Sequence, residues 1–70
     1  MMPLILADAG KENIIRHVGG NPEVRQHLAD LGFHTGTAVT VISTIDGNVI
    51  VKIKESRVAI SREMAQKIMI

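Results

Sequence analysis

Between residues 22 and 41 the spacing of apolar positions changes from that of a helix to that of a strand. Three apolar residues lie at i, i+4 and i+7, along one face of a helix: Val24, Leu28 and Leu31. Gly32 follows at the C′ position, where a left-handed residue ends a helix at the lowest cost. Val39 and Val41 then alternate with small or polar residues, as in a strand. The pattern predicts a helix over about 22–31, a turn at Gly36 and a strand from residue 38.

The beginning of this helix is also predicted from local chemistry. Asn21 is a favourable N-cap, and Pro22 suits the first helical position. Glu23 places a carboxylate near the positive end of the helix dipole. The helix is therefore expected to start at Pro22.

A first strand is predicted before the helix, from about Glu12 to Val18. Two adjacent isoleucines, Ile14 and Ile15, interrupt its alternation. Either one of them faces outward into a partly covered site, or a β-bulge turns both inward. The pattern leaves both arrangements open.

The second half of the chain predicts four further strands. Asp46-Gly47-Asn48 is a hairpin signal, and Ser61 is a suitable cap for a short helical turn. The predicted strands span residues 38–44, 49–54, 56–60 and 67–70, with the helical turn at 61–65. Five short strands without a long crossover favour a small antiparallel barrel. Closing the sheet would cover the apolar residues 68–70, which would otherwise form an exposed edge.

Composition restricts the function further. Seventy residues predict a single domain, 1–70, with little room for a catalytic pocket. The chain has no cysteine, a net charge of +1 and a single aromatic residue. These features argue against thiolate chemistry, phosphate-backbone binding and base stacking. The first seven residues lack the basic region of a signal peptide, and no apolar run approaches the roughly 18 residues of a membrane span. A cytoplasmic protein is expected.

The histidines are the candidates for metal or acid–base chemistry. His27 and Asp30 lie at i and i+3 on the predicted helix, and His34 in the following turn could join them. Together with His17 they match no known ligand spacing, so we interpret them as solvated polar residues and expect no metal site. No cysteine nucleophile, glycine-rich phosphate loop or obvious carboxylate pair suggests catalysis, and none of the serines Ser43, Ser56 and Ser61 has an adjacent histidine in the sequence. We therefore expect no enzymatic activity, no catalytic residues and no cofactor.

A surface for a protein partner is the remaining candidate site. Phe33 follows the helix directly, so it either packs beneath the helix or stands exposed as an anchor for a partner. Met64 adds adaptable apolar area near the C-terminus. The candidate partner-binding residues are Arg25, Phe33, His34 and Met64.

The central stretch also resembles a known family. Residues 31–41 match an LGxxxGxxVxV pattern through Leu31, Gly32, Phe33, Gly36, Val39 and Val41. The closing pattern is matched by Val58, Ala59, Ile60, Arg62, Glu63, Ala65, Ile68 and Ile70. In order and spacing these patterns are similar to those of the FeoA family of small cytoplasmic ferrous iron transport proteins. Thr35 replaces a proline and Glu55 a glycine that are frequent in the family.

The resemblance implies a mostly β fold: a small antiparallel five-stranded Src homology 3-like barrel with one inserted α-helix. It implies a non-enzymatic accessory protein of bacterial ferrous iron uptake, which binds and modulates the cytoplasmic GTPase region of the FeoB transporter. No binding of nucleic acid and no direct membrane insertion are expected, while association between copies of the chain is left open. The alternatives are a detached barrel like the C-terminal domain of DtxR-type metal-dependent repressors, or a small-barrel nucleic-acid-binding module. The sequence contains no helix-turn-helix, which weighs against a complete repressor. It also lacks the basic and aromatic residues that a small barrel needs to bind RNA.

Overall fold

The computed structural model describes all of residues 1–70, and its strands form two antiparallel sheets. The elements in chain order are β1 (Glu12–Ile14), β2 (His17–Val18), α1 (Pro22–Asp30), β3 (Ala38–Ile45), β4 (Asn48–Ile53), β5 (Ser56–Ser61), α2 (Arg62–Ala65) and β6 (Ile68–Met69), after a 3₁₀ turn at Leu4–Leu6. One sheet has the order β1-β3-β4-β5, and the other pairs β2 with β6. The expectation of a mostly β domain with few helices is confirmed, but the chain has six strands rather than five.

The extra strand arises because the predicted first strand changes sheets halfway along. The Ile15 N–H donates to the Thr37 carbonyl at 2.9 Å, next to β3, whereas the Arg16 N–H donates to the Met69 carbonyl in β6 at 2.8 Å. The segment therefore leaves one sheet at Ile15 and enters the other at Arg16. The two isoleucines take the first of the two predicted arrangements, since Ile15 is fully buried and Ile14 is 47% exposed.

The N-terminus of α1 is capped as predicted. The Asn21 Oδ1 accepts the Val24 N–H at 2.8 Å, and Pro22 occupies the first turn, where its missing N–H leaves no bond unmade. Glu23 also lies in this first turn.

The C-terminus of α1 is closed by a Schellman motif. Leu31 is the C-cap, so the helix ends one residue earlier than predicted. Gly32 has a φ of 103°, and its N–H donates to the Ala29 carbonyl at 2.9 Å. The Phe33 N–H donates to the Leu28 carbonyl at 2.9 Å, and this bond turns the chain back beneath the helix.

Two tight hairpins connect β3, β4 and β5. Asp46 and Gly47 both have positive φ, 48° and 80°, as a type I′ turn requires, so the predicted hairpin is confirmed with strand ends shifted by one residue. In the second hairpin Lys54 has a φ of 54°, while Glu55 is not among the residues with positive φ. The strained position of this turn is therefore Lys54, which explains why Glu55 does not need to be a glycine.

The C-terminal segment is covered on both sides. Ser61 caps α2 as predicted, since its Oγ accepts the Met64 N–H at 3.2 Å. β2 pairs with one side of β6. On the other side Met2 and Ile70 exchange N–H···O bonds of 2.9 and 2.8 Å. The pairing of the N-terminal residues with the C-terminal segment was not predicted.

The core lies between the two sheets and α1 and is apolar throughout. Its thirteen buried residues are Leu4, Ile15, Leu28, Phe33, Val39, Val41, Val49, Val51, Ile53, Ile60, Ala65, Ile68 and Ile70. No polar or charged residue is buried. All the polar chemistry of the protein is therefore at its surface.

Candidate functional site

The three histidines lie apart from one another on the surface and are not part of a cluster of ligand side chains. His17, His27 and His34 are all exposed. No group of three or more His, Cys, Asp or Glu side chains in residues 1–70 is arranged to hold a metal ion. The Asp30 carboxylate instead accepts a hydrogen bond from Gln26 Nε2 at 2.8 Å. The weak candidate set of His27, Asp30 and His34 is thus not assembled into one site.

Phe33 is a core residue, and its assignment as an exposed partner contact is wrong. Its side chain is 1% exposed and belongs to the apolar core. The cause is local, because the Schellman motif brings the residue after Gly32 into contact with the last turn of the helix. The bond from the Phe33 N–H to the Leu28 carbonyl fixes this position, and both side chains are buried.

The other three predicted contact residues are at the surface but do not share a groove. Arg25 lies in a shallow depression on the outer face of α1, beside Gln26 and Ala29. His34 is exposed in the turn after the helix, and Met64 is half-buried against the core. Neither of these two lines any of the three surface depressions.

The surface depression of largest volume lies along β1, on the side away from β3. We call it the β1 groove; it measures about 570 Å³ and is lined by Met1, Met2, Glu12, Asn13, Ile14, Arg16 and Ile70. Three of its large apolar side chains are exposed: Met1 by 79%, Ile14 by 47% and Met2 by 40%. Exposed apolar side chains gathered in one groove are typical of a contact surface.

The backbone of β1 also faces this groove. Successive residues of a strand turn their N–H and C=O groups to opposite sides. Ile15 bonds toward Thr37 and β3, and Arg16 bonds to the opposite side, toward β6. Glu12 and Ile14 are four and two residues before Arg16, so by this alternation their N–H and C=O groups also point away from β3. Neither residue makes a backbone hydrogen bond outside the β1–β3 pair. Their N–H and C=O groups therefore form an open sheet edge at the groove.

Charges stand at both ends of the β1 groove. Arg16 lies at the end near Ile70, and Glu12 lies at the far end. Glu12 also borders a neighbouring depression that contains Lys52 and Lys54. The groove thus has an apolar middle and a cation and an anion at its ends.

Sequence reasoning missed this groove, although one signal pointed to it. An outward-facing isoleucine in a partly covered site was one of the two arrangements that the adjacent Ile14 and Ile15 left open. The contribution of Met1 and Met2 has no signal in the sequence, since it depends on the pairing of the N-terminal segment with Ile70.

No helix in the structure combines the length and apolar character needed to cross a membrane.

Known proteins resemble this chain in both sequence and fold. A putative Fe(2+) transport protein A of Methanocaldococcus jannaschii is 36% identical over 70 residues, which span 100% of this chain and 85% of that protein. A crystal structure of iron uptake regulatory protein (FeoA) superposes with a TM-score of 0.86 at 25% identity, covering 96% of this chain and 89% of that one. None of these comparisons names a catalytic family.

A manganese-dependent transcriptional repressor also shares the fold. It superposes with a TM-score of 0.83 at 20% identity, covering 94% of this chain and 38% of the repressor. At this identity the likeness shows the fold alone, so it does not favour the repressor alternative. Residues 2–70 match the FeoA domain. Together with the 36% identity to an Fe(2+) transport protein A, this match shows that the chain belongs to the FeoA domain family.

Proposed function

We propose that this chain is a non-enzymatic accessory protein of ferrous iron uptake, which binds and modulates the cytoplasmic GTPase region of the FeoB transporter. The observation that carries this proposal is the FeoA match over residues 2–70, supported by the identity to a protein named for Fe(2+) transport. A cytoplasmic location belongs to the same proposal, because the partner region is cytoplasmic. So does the finer description of the two sheets as a Src homology 3-like barrel.

The distribution of polar groups supports a binding role. Every charged side chain is outside the core, and the thirteen buried residues are all apolar. Arg25 and His34 are exposed, and Met64 offers adaptable apolar area beside α2. We propose these three residues as contacts of a folded partner, with Phe33 removed from the set because it is buried.

Titration calorimetry with the purified cytoplasmic domain of FeoB tests the proposal. We expect saturable binding at physiological salt. Arg25→Glu should weaken this binding about tenfold, the effect of losing a strong interface contact. Arg57→Glu is the matched control, since Arg57 is also exposed but lies on β5. No heat of binding would refute the proposed function, whereas equal affinities for the two variants would place the contact elsewhere on the surface.

The same preparation should ignore nucleic acid. With a net charge of +1 and a single, buried aromatic residue, the chain offers few contacts for phosphates and no exposed stacking surface. A mobility shift with mixed RNA is expected to show no specific complex. A specific complex that persists at physiological salt would favour the nucleic-acid-binding alternative.

A further inference from the structure

We propose that the β1 groove is a strand-acceptor site, in which an extended segment of a partner protein adds antiparallel to β1 and in line with β6. The segment carries an apolar residue opposite Ile14 and, two residues later, a basic residue opposite Glu12. This inference rests on the proposed function only for the identity of the protein that carries the segment.

The open backbone of β1 gives the first argument. Glu12 and Ile14 direct two N–H and two C=O groups into the groove, as the alternation of backbone bonds at Ile15 and Arg16 shows. An added strand would satisfy all four groups. In strand addition these main-chain bonds supply affinity, and the pockets for alternate side chains supply specificity.

The shape of the groove gives the second argument. β6 pairs with β2 and ends at Met69 beside Arg16, and the groove begins at the next residue, Ile70. One wall is β1 and the other is formed by Met1 and Met2. Met2 is held in place by its reciprocal hydrogen bonds with Ile70. The groove therefore lies where a continued β6 would run between its two neighbours.

The two walls of the groove also restrict the kind of protein segment that can bind between them. A second copy of this protein would bring an edge strand with further sheet attached, and that sheet would have to pass Met1 and Met2 on the far wall of the groove. A single extended segment requires only one strand width, about 4.8 Å from each neighbour. The occupant is therefore an unpaired segment of a partner, such as a terminus or a linker, and not a folded sheet edge.

The side chains that line the groove define the chemistry of the segment. Ile14, Met1 and Met2 present exposed apolar area, which favours an apolar side chain opposite Ile14. Two residues further along, an antiparallel segment faces Glu12, which favours a basic side chain. Lys52 and Lys54 border the other side of Glu12 and reduce its attraction for a cation. The apolar contact is thus the stronger of the two preferences.

The acceptor site can be tested without any partner. We would extend the 70-residue chain beyond Ile70 by the tail Thr-Val-Thr-Lys, which places valine opposite Ile14 and lysine opposite Glu12. Amide hydrogen exchange measured by NMR should show the Ile14 amide slowed about tenfold or more relative to the unextended chain. The control tail Thr-Pro-Thr-Lys has no N–H to donate to the Ile14 carbonyl, so one of the two reciprocal bonds is lost and the Ile14 amide should be protected much less. Equal exchange rates with the two tails would overturn the proposal.

Two variants of the Val-containing protein check the chemistry. Glu12→Lys should reduce the protection of the Ile14 amide several-fold, because the tail lysine then faces a like charge. Glu55→Lys makes the same change in net charge at an exposed turn residue outside the groove and should leave the protection unchanged. Equal protection in the two variants would refute the predicted preference for a basic residue.

The final measurement repeats the exchange experiment on the original chain, with the FeoB cytoplasmic domain as the added probe. Protection of the Glu12 and Ile14 amides on binding supports the inference. Binding without protection of these amides overturns the groove as the site for this partner but leaves the proposed function standing. Absence of binding refutes the proposed function, and the tail experiment then decides the acceptor site by itself.

Discussion

Replacing Phe33 with alanine is expected to remove a large part of the stability of this domain. The side chain is 1% exposed and belongs to a core of thirteen apolar residues. Truncating a buried phenylalanine to alanine costs about 3–5 kcal/mol, because transfer free energy is lost and a cavity remains. At about 0.05–0.15 kcal/mol per residue, a domain of 70 residues has a total stability of about 3.5–10.5 kcal/mol. The variant should therefore lose from roughly a third to all of the stability of the domain.

Urea denaturation followed by far-ultraviolet circular dichroism measures this loss, since the chain has no Trp or Tyr to report by fluorescence. His34→Ala is the neighbouring control and should change stability by less than about 0.5 kcal/mol, because His34 is exposed. Phe33→Leu keeps most of the buried volume and should cost less than the alanine variant. A Phe33→Ala variant within about 1 kcal/mol of the original chain would refute the core assignment, given the cavity cost expected for a buried phenylalanine. It would also restore Phe33 as a surface contact.

Three further predictions concern the turns and the histidines. Gly32→Val should destabilise the domain by about 1–2 kcal/mol more than Ala29→Val, because a φ of 103° strains a β-branched residue. Equal midpoints of urea denaturation for the two variants would exclude this strain. Apart from the chain neighbours of Gly32, no atom lies within 4 Å of the position of an added Cβ, so a clash at Cβ would not explain the difference. Lys54→Gly should stabilise the second hairpin by a few tenths of a kcal/mol to about 1 kcal/mol, because it relieves the strain of a φ of 54°, whereas Glu55→Gly should not. Urea denaturation of the two variants compares their stabilities. Anaerobic calorimetry with ferrous ion should detect no stoichiometric site of micromolar affinity, and the idea fails if such a site appears and is lost when the histidines are replaced.

Local chemistry made much of the fold predictable. The cap at Asn21, the stop at Gly32, the type I′ turn at Asp46 and the Ser61 cap each depend on residues within a few positions of one another. Such features are encoded by one side chain and its nearest backbone groups, so their residue types identify them. The predicted strand ends were off by at most one residue, because strand ends depend on the partner strand as well as on the local sequence.

The candidate site was far less predictable. Arg25 and His34 are exposed as a contact role requires, but the structure does not place them in one groove. The sequence was compatible with either a buried or an exposed Phe33, and the geometry of the helix end decided that it is buried. The β1 groove could not be assembled from residue patterns, since one of its walls is placed by the pairing of Met2 with Ile70 at the other end of the chain.

The sequence by itself determined where the helices and turns lie, which positions alternate and which families of protein the chain resembles. Tertiary structure alone decided that the first strand divides at Ile15 and that Met2 pairs with Ile70. The physical reason is that a backbone N–H or C=O has the same hydrogen-bonding capacity in almost every residue, so the local side chains do not specify which distant group it pairs with. That partner is set when the core closes, and closure of this core left the backbone of Glu12 and Ile14 facing an open groove.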